Sequence, residues 1–185
     1  MKIGAAILRA INRGAFWVFL RAATRVEIQG INVYLPYRSR MSNDQAKANI
    51  SAALSCIARY APTRLFRVQR YLRGIVVGWP QPGATTAHYR FDARMCILDG
   101  DFTLHPKHPV LLALTILHEA THARLHSCPY TIPEDRVRIE RICVTTEILL
   151  INRLPGSQAL SRIWESRLAS LSEAEYTNEA MTRQA

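Results

Sequence analysis

The chain has 185 residues, enough for one domain with a sizeable buried core. Its 49% hydrophobic and 21% charged residues exclude wholesale disorder, and neither a solenoid-length repeat nor a low-complexity run is visible. Lys and Arg outnumber Asp and Glu by 24 to 14, a formal net charge of +10 that attracts anionic partners.

Residues 1–25 read as a basic amphipathic helix. Arg9, Arg13 and Arg21 interrupt the apolar stretch 1–22. The uncharged run therefore falls short of the roughly 20 residues a membrane-spanning helix needs. It also lacks the single apolar core of a cleavable signal peptide. Two fates are open to this helix: docking on the domain, or lying on an anionic membrane or partner surface.

A single domain is expected over residues 26–172. Val26 to Gln29 and Asn32 to Leu35 flank Gly30 as a short hairpin. Ser42-Asn43-Asp44 offers caps for a helix from Ala46 to Tyr60, which Pro62 ends. Strand-like runs follow at Leu65 to Tyr71, Ile75 to Trp79, His88 to Phe91 and Met95 to Leu98. Gly74, Pro80-Gln81-Pro82-Gly83 and Asp99-Gly100 separate them as turns.

Helices dominate the second half. The turn His105 to Pro109 launches one that runs from about Pro109 to His126, with Cys128-Pro129 after it. Thr131-Ile132-Pro133-Glu134 has capping-box spacing for the next, which reaches about Asn152 before Pro155-Gly156. A last helix is expected over Gln158 to Leu171, and residues 173–185 form a polar tail. The order predicts an α+β domain.

Cys56, Cys96, Cys128 and Cys143 form no C-x-x-C pair and read as reduced, mostly buried thiols, which favours the cytoplasm. Membrane association and export as an effector are the alternatives. The arginines are spread rather than blocked, and neither an RNP-like strand nor a finger spacing occurs. The basic balance thus reads as a solvated surface before it reads as a nucleic-acid site.

The chemistry concentrates in His118-Glu119-Ala120-Thr121-His122, an H-E-x-x-H motif inside the long apolar helix. Histidines four residues apart project from one helix face about a turn apart, so both imidazoles can reach one Zn²⁺. Glu119 can then face a water acidified by the ion and act as general base. A third ligand is required. Ala120 lies about 10 Å from the helix end at 1.5 Å per residue. A short connection to an antiparallel neighbour brings Glu140 to the same height. Glu147 is the alternative, as ligand or as support for a ligand. His126 continues the histidine row, but the drift of about 40° per four residues makes it a substrate-side or supporting group. Tyr130, His126, His105 and Tyr89 are candidates to meet a developing oxyanion.

This constellation resembles the gluzincin branch of the zincin metallopeptidases. The stretch Glu140 to Leu150 is loosely similar to the small ImmA/IrrE-like metallopeptidases, with Cys143 at the small position and Pro155 after the apolar run. The resemblance spans residues 109–155. It departs from the thermolysin pattern at Val144, where a supporting aspartate would stand, and at Arg124, where an apolar residue is usual. It implies a zincin-like fold with a short mixed sheet. It further implies Zn²⁺ held by His118, His122 and Glu140, with Glu119 as base and a peptide or protein as substrate. The peptide would pair with an edge strand, either Met95 to Leu98 or His88 to Phe91. The alternative is a catalytically silent scaffold of the same fold that binds nucleic acid or another anionic partner through its basic surface.

Overall fold

The computed structural model describes residues 2–36, 40–80, 86–105, 109–128 and 136–182. Among them it is an α+β structure of seven helices and one five-stranded mixed sheet. In chain order the elements are α1 (Lys2–Ala22), β1 (Thr24–Ile28), β2 (Ile31–Leu35), α2 (Arg40–Tyr60) and α3 (Pro62–Tyr71). Then come β3 (Gly74–Val77), β4 (Ala87–Arg90), β5 (Met95–Leu98), α4 (Gly100–Leu104), α5 (Pro109–His126), α6 (Arg136–Ile151) and α7 (Gln158–Thr182).

The strand order is β1-β2-β3-β5-β4. β1 pairs antiparallel with β2, and β4 with β5, while β2-β3 and β3-β5 are parallel. Parallel neighbours need a crossover, and α2 with α3 provides the one between β2 and β3. The β1-β2 hairpin turns through Gln29 and Gly30, both at positive φ (49° and 74°). Two consecutive left-handed residues make the tight turn whose twist matches the strands it joins. Gln69 secures it by donating to the Gln29 carbonyl at 2.9 Å.

Period-two alternation divides the sheet between two layers. Val33, Leu35, Ile75, Val77, Cys96 and Leu98 face the main core with α2, α3 and α5. Val76, Met95 and Ile97 face the opposite side, where Phe16 and Leu20 of α1 cover them. Trp79 joins this second layer edge-on to Phe16, with ring centroids 5.1 Å apart. Both faces being covered explains why β3 and β5 are buried at every position. The N-terminal helix therefore docks on the sheet, and Arg13, midway along it, forms an ion pair with Asp92 at 3.3 Å. No helix among the described residues is long and apolar enough to cross a membrane.

Several boundaries differ from expectation. Leu65 to Tyr71 is not a strand: it lies within helix α3. Pro62 suits the first helical turn. Leu65, Val68 and Leu72 then recur at spacings of three and four, packing on the core while Phe66 stays 60% exposed. Asp99-Gly100 is a helix start rather than a turn, because the Asp99 carboxylate accepts from the Phe102 N–H at 2.8 Å and caps α4. Helix α2 begins at Arg40, so Ser42-Asn43-Asp44 lies inside it, and α7 continues past Leu171 to Thr182. The expected turns at residues 81–83 and 106–108 and the capping box at 131–134 fall outside the described residues.

Gly74 tests the sheet register. A Cβ there would lie 2.7 Å from the Asn32 carbonyl oxygen on the paired strand. Gly74→Ala must separate β2 from β3 and is expected to cost about 1–3 kcal/mol. Gly14, inside α1 with nothing within 4 Å of such a Cβ, is the control. Gly14→Ala is expected to stabilise by roughly 0.5–1 kcal/mol through helix propensity. Thermal or denaturant unfolding of the two variants checks both signs.

Candidate metal centre

Helix α5 is buried around most of its circumference: ten residues from Leu112 to Ala123 are buried. An all-round apolar helix is stable only inside a domain. Here α2, α3, α6 and the β4-β5 end of the sheet surround it. The motif residues therefore project from a rigid support.

His118 and His122 converge as their spacing requires, with Nε2 atoms 3.1 Å apart. Glu140 of α6 closes the group: Oε2 lies 3.3 Å from His118 Nε2 and Oε1 lies 3.2 Å from His122 Nε2. Ligands roughly 2.0–2.1 Å from a tetrahedral centre are about 3.3 Å apart. The three side chains fit a divalent ion on that measure. Cys143, one turn after Glu140 and fully buried, lies close by. The ligand atoms of His118, His122 and Cys143 are all within 4.8 Å of one another, so this group too can reach an ion. The sequence had marked Cys143 as a reduced, buried thiol at a small position and not as a ligand.

Glu147 takes a different place. Its Oε2 lies 3.4 Å from His118 Nδ1, the nitrogen turned away from the other two ligands. A carboxylate at Nδ1 keeps the proton there and leaves Nε2 free for an ion. Contacts advance from Glu140 to Glu147 along α6 as they retreat from His122 to His118 along α5, the antiparallel sense expected. Arg167 of α7 approaches the same Glu147 oxygen at 3.9 Å.

Burial works against charge on His118, but the neighbouring carboxylates of Glu140, Glu147 and Glu119 overcome it. Its pKa is pushed up to about 10. Hydrogen bonds from the two histidines hold Glu140 well below the usual carboxylate range. Burial raises Glu119, which is 6% exposed; the histidine charges oppose that shift and the neighbouring carboxylates add to it. Burial, with the charges of Glu140, Glu119 and Glu147, pushes the Cys143 thiol far up.

His118, Glu119, His122, Glu140 and Glu147 line a cleft of about 550 Å³, together with Thr86 to Tyr89, Phe91, Thr115, Arg136 and Arg167; Cys143 does not reach it. The edge strand here is β4, not β5. Of the candidates for an oxyanion partner, Tyr89 reaches the cleft, yet its ring is packed on Phe91 at a centroid distance of 5.0 Å. His126 stacks on Phe91 at 4.5 Å and does not line the cleft. His105 ends α4 and does not line it either, and Tyr130 falls outside the described residues. Arg136 and Arg167 were not anticipated. Arg136 stands four residues before Glu140, a spacing that places it on the same face. No local signal points to Arg167.

Comparison with protein families, with curated proteins and with solved structures finds no match.

Two outcomes follow for the centre. Equilibrium dialysis with Zn²⁺ should give one ion per chain. Glu140→Ala should weaken binding by more than about 100-fold, and Glu147→Ala by about 10–100-fold as for an outer partner. Equal losses would contradict the division of roles. In the metal-free chain, His118 is raised from 6.5 to about 10. Its contribution to stability is therefore complete below pH 6.5 and lost as pH rises through about 10. Glu140, depressed from 4.5, contributes above that pH and loses its contribution as the solution becomes acidic. The melting temperature of the chelated protein should fall between pH 6.5 and 10, and His118→Gln should flatten that limb.

Proposed function

We infer that this chain is a zinc-dependent hydrolase of the zincin type that cleaves an amide bond in a peptide or protein. The observation that carries the reading is the meeting of two imidazole nitrogens and one carboxylate within 3.1–3.3 Å, with buried Glu119 beside them at the floor of an open cleft.

His118, His122 and Glu140 would hold the ion, with Cys143 near enough to share in it. When bound, zinc supplies a Lewis acid that polarises a carbonyl and makes water acidic near neutral pH. The remaining work belongs to the chain. Glu119 takes a proton from the attacking water onto its carboxylate and passes it to the leaving nitrogen. A carboxyl group raised by burial suits both halves of that task, because its affinity for the proton lies closer to neutrality. Glu147 keeps the proton of His118 on Nδ1 and fixes the ring. Strand β4, at the sheet edge and along the cleft wall, offers backbone groups for an extended substrate.

The discriminating variant is Glu119→Gln, which keeps shape and ligands but removes the proton acceptor. It should retain one zinc per chain while turnover of a cleaved peptide falls by about 10²–10⁴-fold. Chelation should abolish turnover of the unaltered chain, and added zinc should restore it. Undiminished cleavage by Glu119→Gln would refute the mechanism.

A further inference from the structure

Arg136, Glu140, Cys143 and Glu147 follow one another along α6 at spacings of four, three and four. At about 100° per residue they lie within about 60° of one helix face. The three carboxylates of the cleft are already engaged or buried. Glu140 lies between the two imidazoles, Glu147 faces His118 Nδ1, and Glu119 is buried in the floor. The arginines are different. Arg136 is exposed, and no carboxylate among the described residues pairs with it. Arg167 keeps half of its side-chain surface exposed, and its 3.9 Å approach to Glu147 is too long for a hydrogen bond. Both line the cleft.

We propose that the cleft selects acidic peptide segments, with Arg136 and Arg167 receiving carboxylates on either side of the metal ligands. This rests on the reading of the cleft as a peptide-cleaving site and names its substrate class. Arg136 lies about 6 Å along the helix from Glu140, and the Glu147 end, where Arg167 stands, is about 16 Å from Arg136 at 1.5 Å per residue. An extended chain rises about 3.3 Å per residue, so about five residues span the two arginines. Acidic side chains two positions before and two positions after the dipeptide that is cut lie five residues apart and would meet one guanidinium each. Arginine's planar fork donates two parallel N–H bonds to a carboxylate and repels a basic peptide. The +10 net charge steers the same substrates inward.

The test uses full-length, zinc-loaded Glu119→Gln chain, so that bound peptide is not turned over. Fluorescein-labelled ten-residue peptides carry Glu, Gln or Lys two positions to each side of a central dipeptide, and binding is read by anisotropy. The Glu peptide should bind about tenfold more tightly than its Gln counterpart. Adding Arg136→Gln or Arg167→Gln should remove most of that advantage and leave the Gln peptide's affinity unchanged. Arg167→Glu should shift preference toward the Lys peptide. Equal affinities for the three peptides, an acidic preference that survives both Arg→Gln changes, or no binding of the Glu peptide would overturn the proposal. Cleavage by the unaltered chain is scored separately. Acidic preference without cleavage sinks the hydrolase reading alone, and cleavage without preference sinks this one alone.

Discussion

Three carboxylates and two imidazoles are held around one point beside a helix that is otherwise packed in hydrocarbon. Like charges brought together out of water repel strongly, so the grouping persists only while something positive sits among them. In the metal-free chain that role falls to protons shared between His118 and its carboxylate neighbours. A divalent ion would replace them and bind the same lone pairs. Much of the structure serves this convergence. Helix α5 is clamped by α2 and α3 on one side and α6 on another, so the backbone that carries both imidazoles cannot shift without opening the core.

The outer elements extend that clamp. α7 has its most extensive packing against α6, and α6 carries both the carboxylate at the two Nε2 atoms and the one at Nδ1. Shifting α6 by one turn, about 5.4 Å, would move Glu140 out of reach and leave two histidines without a partner. On the far side, α1 closes the second face of the sheet with Phe16 and Leu20. This keeps β5, and through it the β4 edge, in register with the cleft. The proposed chemistry thus depends on packing at a distance as well as on the residues at its centre.

Two nearby groups show how environment assigns roles. Glu140 and Glu147 are the same residue type on one face of one helix. One meets the nitrogens that face each other, and the other meets the nitrogen that faces away. Cys143 lies between them, where burial first and the field of the carboxylates next oppose its ionisation. An ion with an affinity for thiolate would counter that field, whereas oxygen and imidazole ligands need no such compensation.

Much was legible from the residues in order. The four-residue histidine spacing determined that both rings share a face. Proline and glycine placed the limits of α5 and the β1-β2 hairpin, and a rise of 1.5 Å per residue placed Glu140 opposite the motif. These are local or one-step inferences, governed by helix geometry and short connections. Other features were decided only in three dimensions. Residues 65–71 carry an apolar pattern compatible with either period, and packing against α2 and α5 selected the helix. Which strand forms the edge, which nitrogen Glu147 meets, and the arrival of Arg167 from α7 depend on how distant elements dock. Nothing in the spacing of one segment encodes the position of another, because that position is set by the packing of the faces between them.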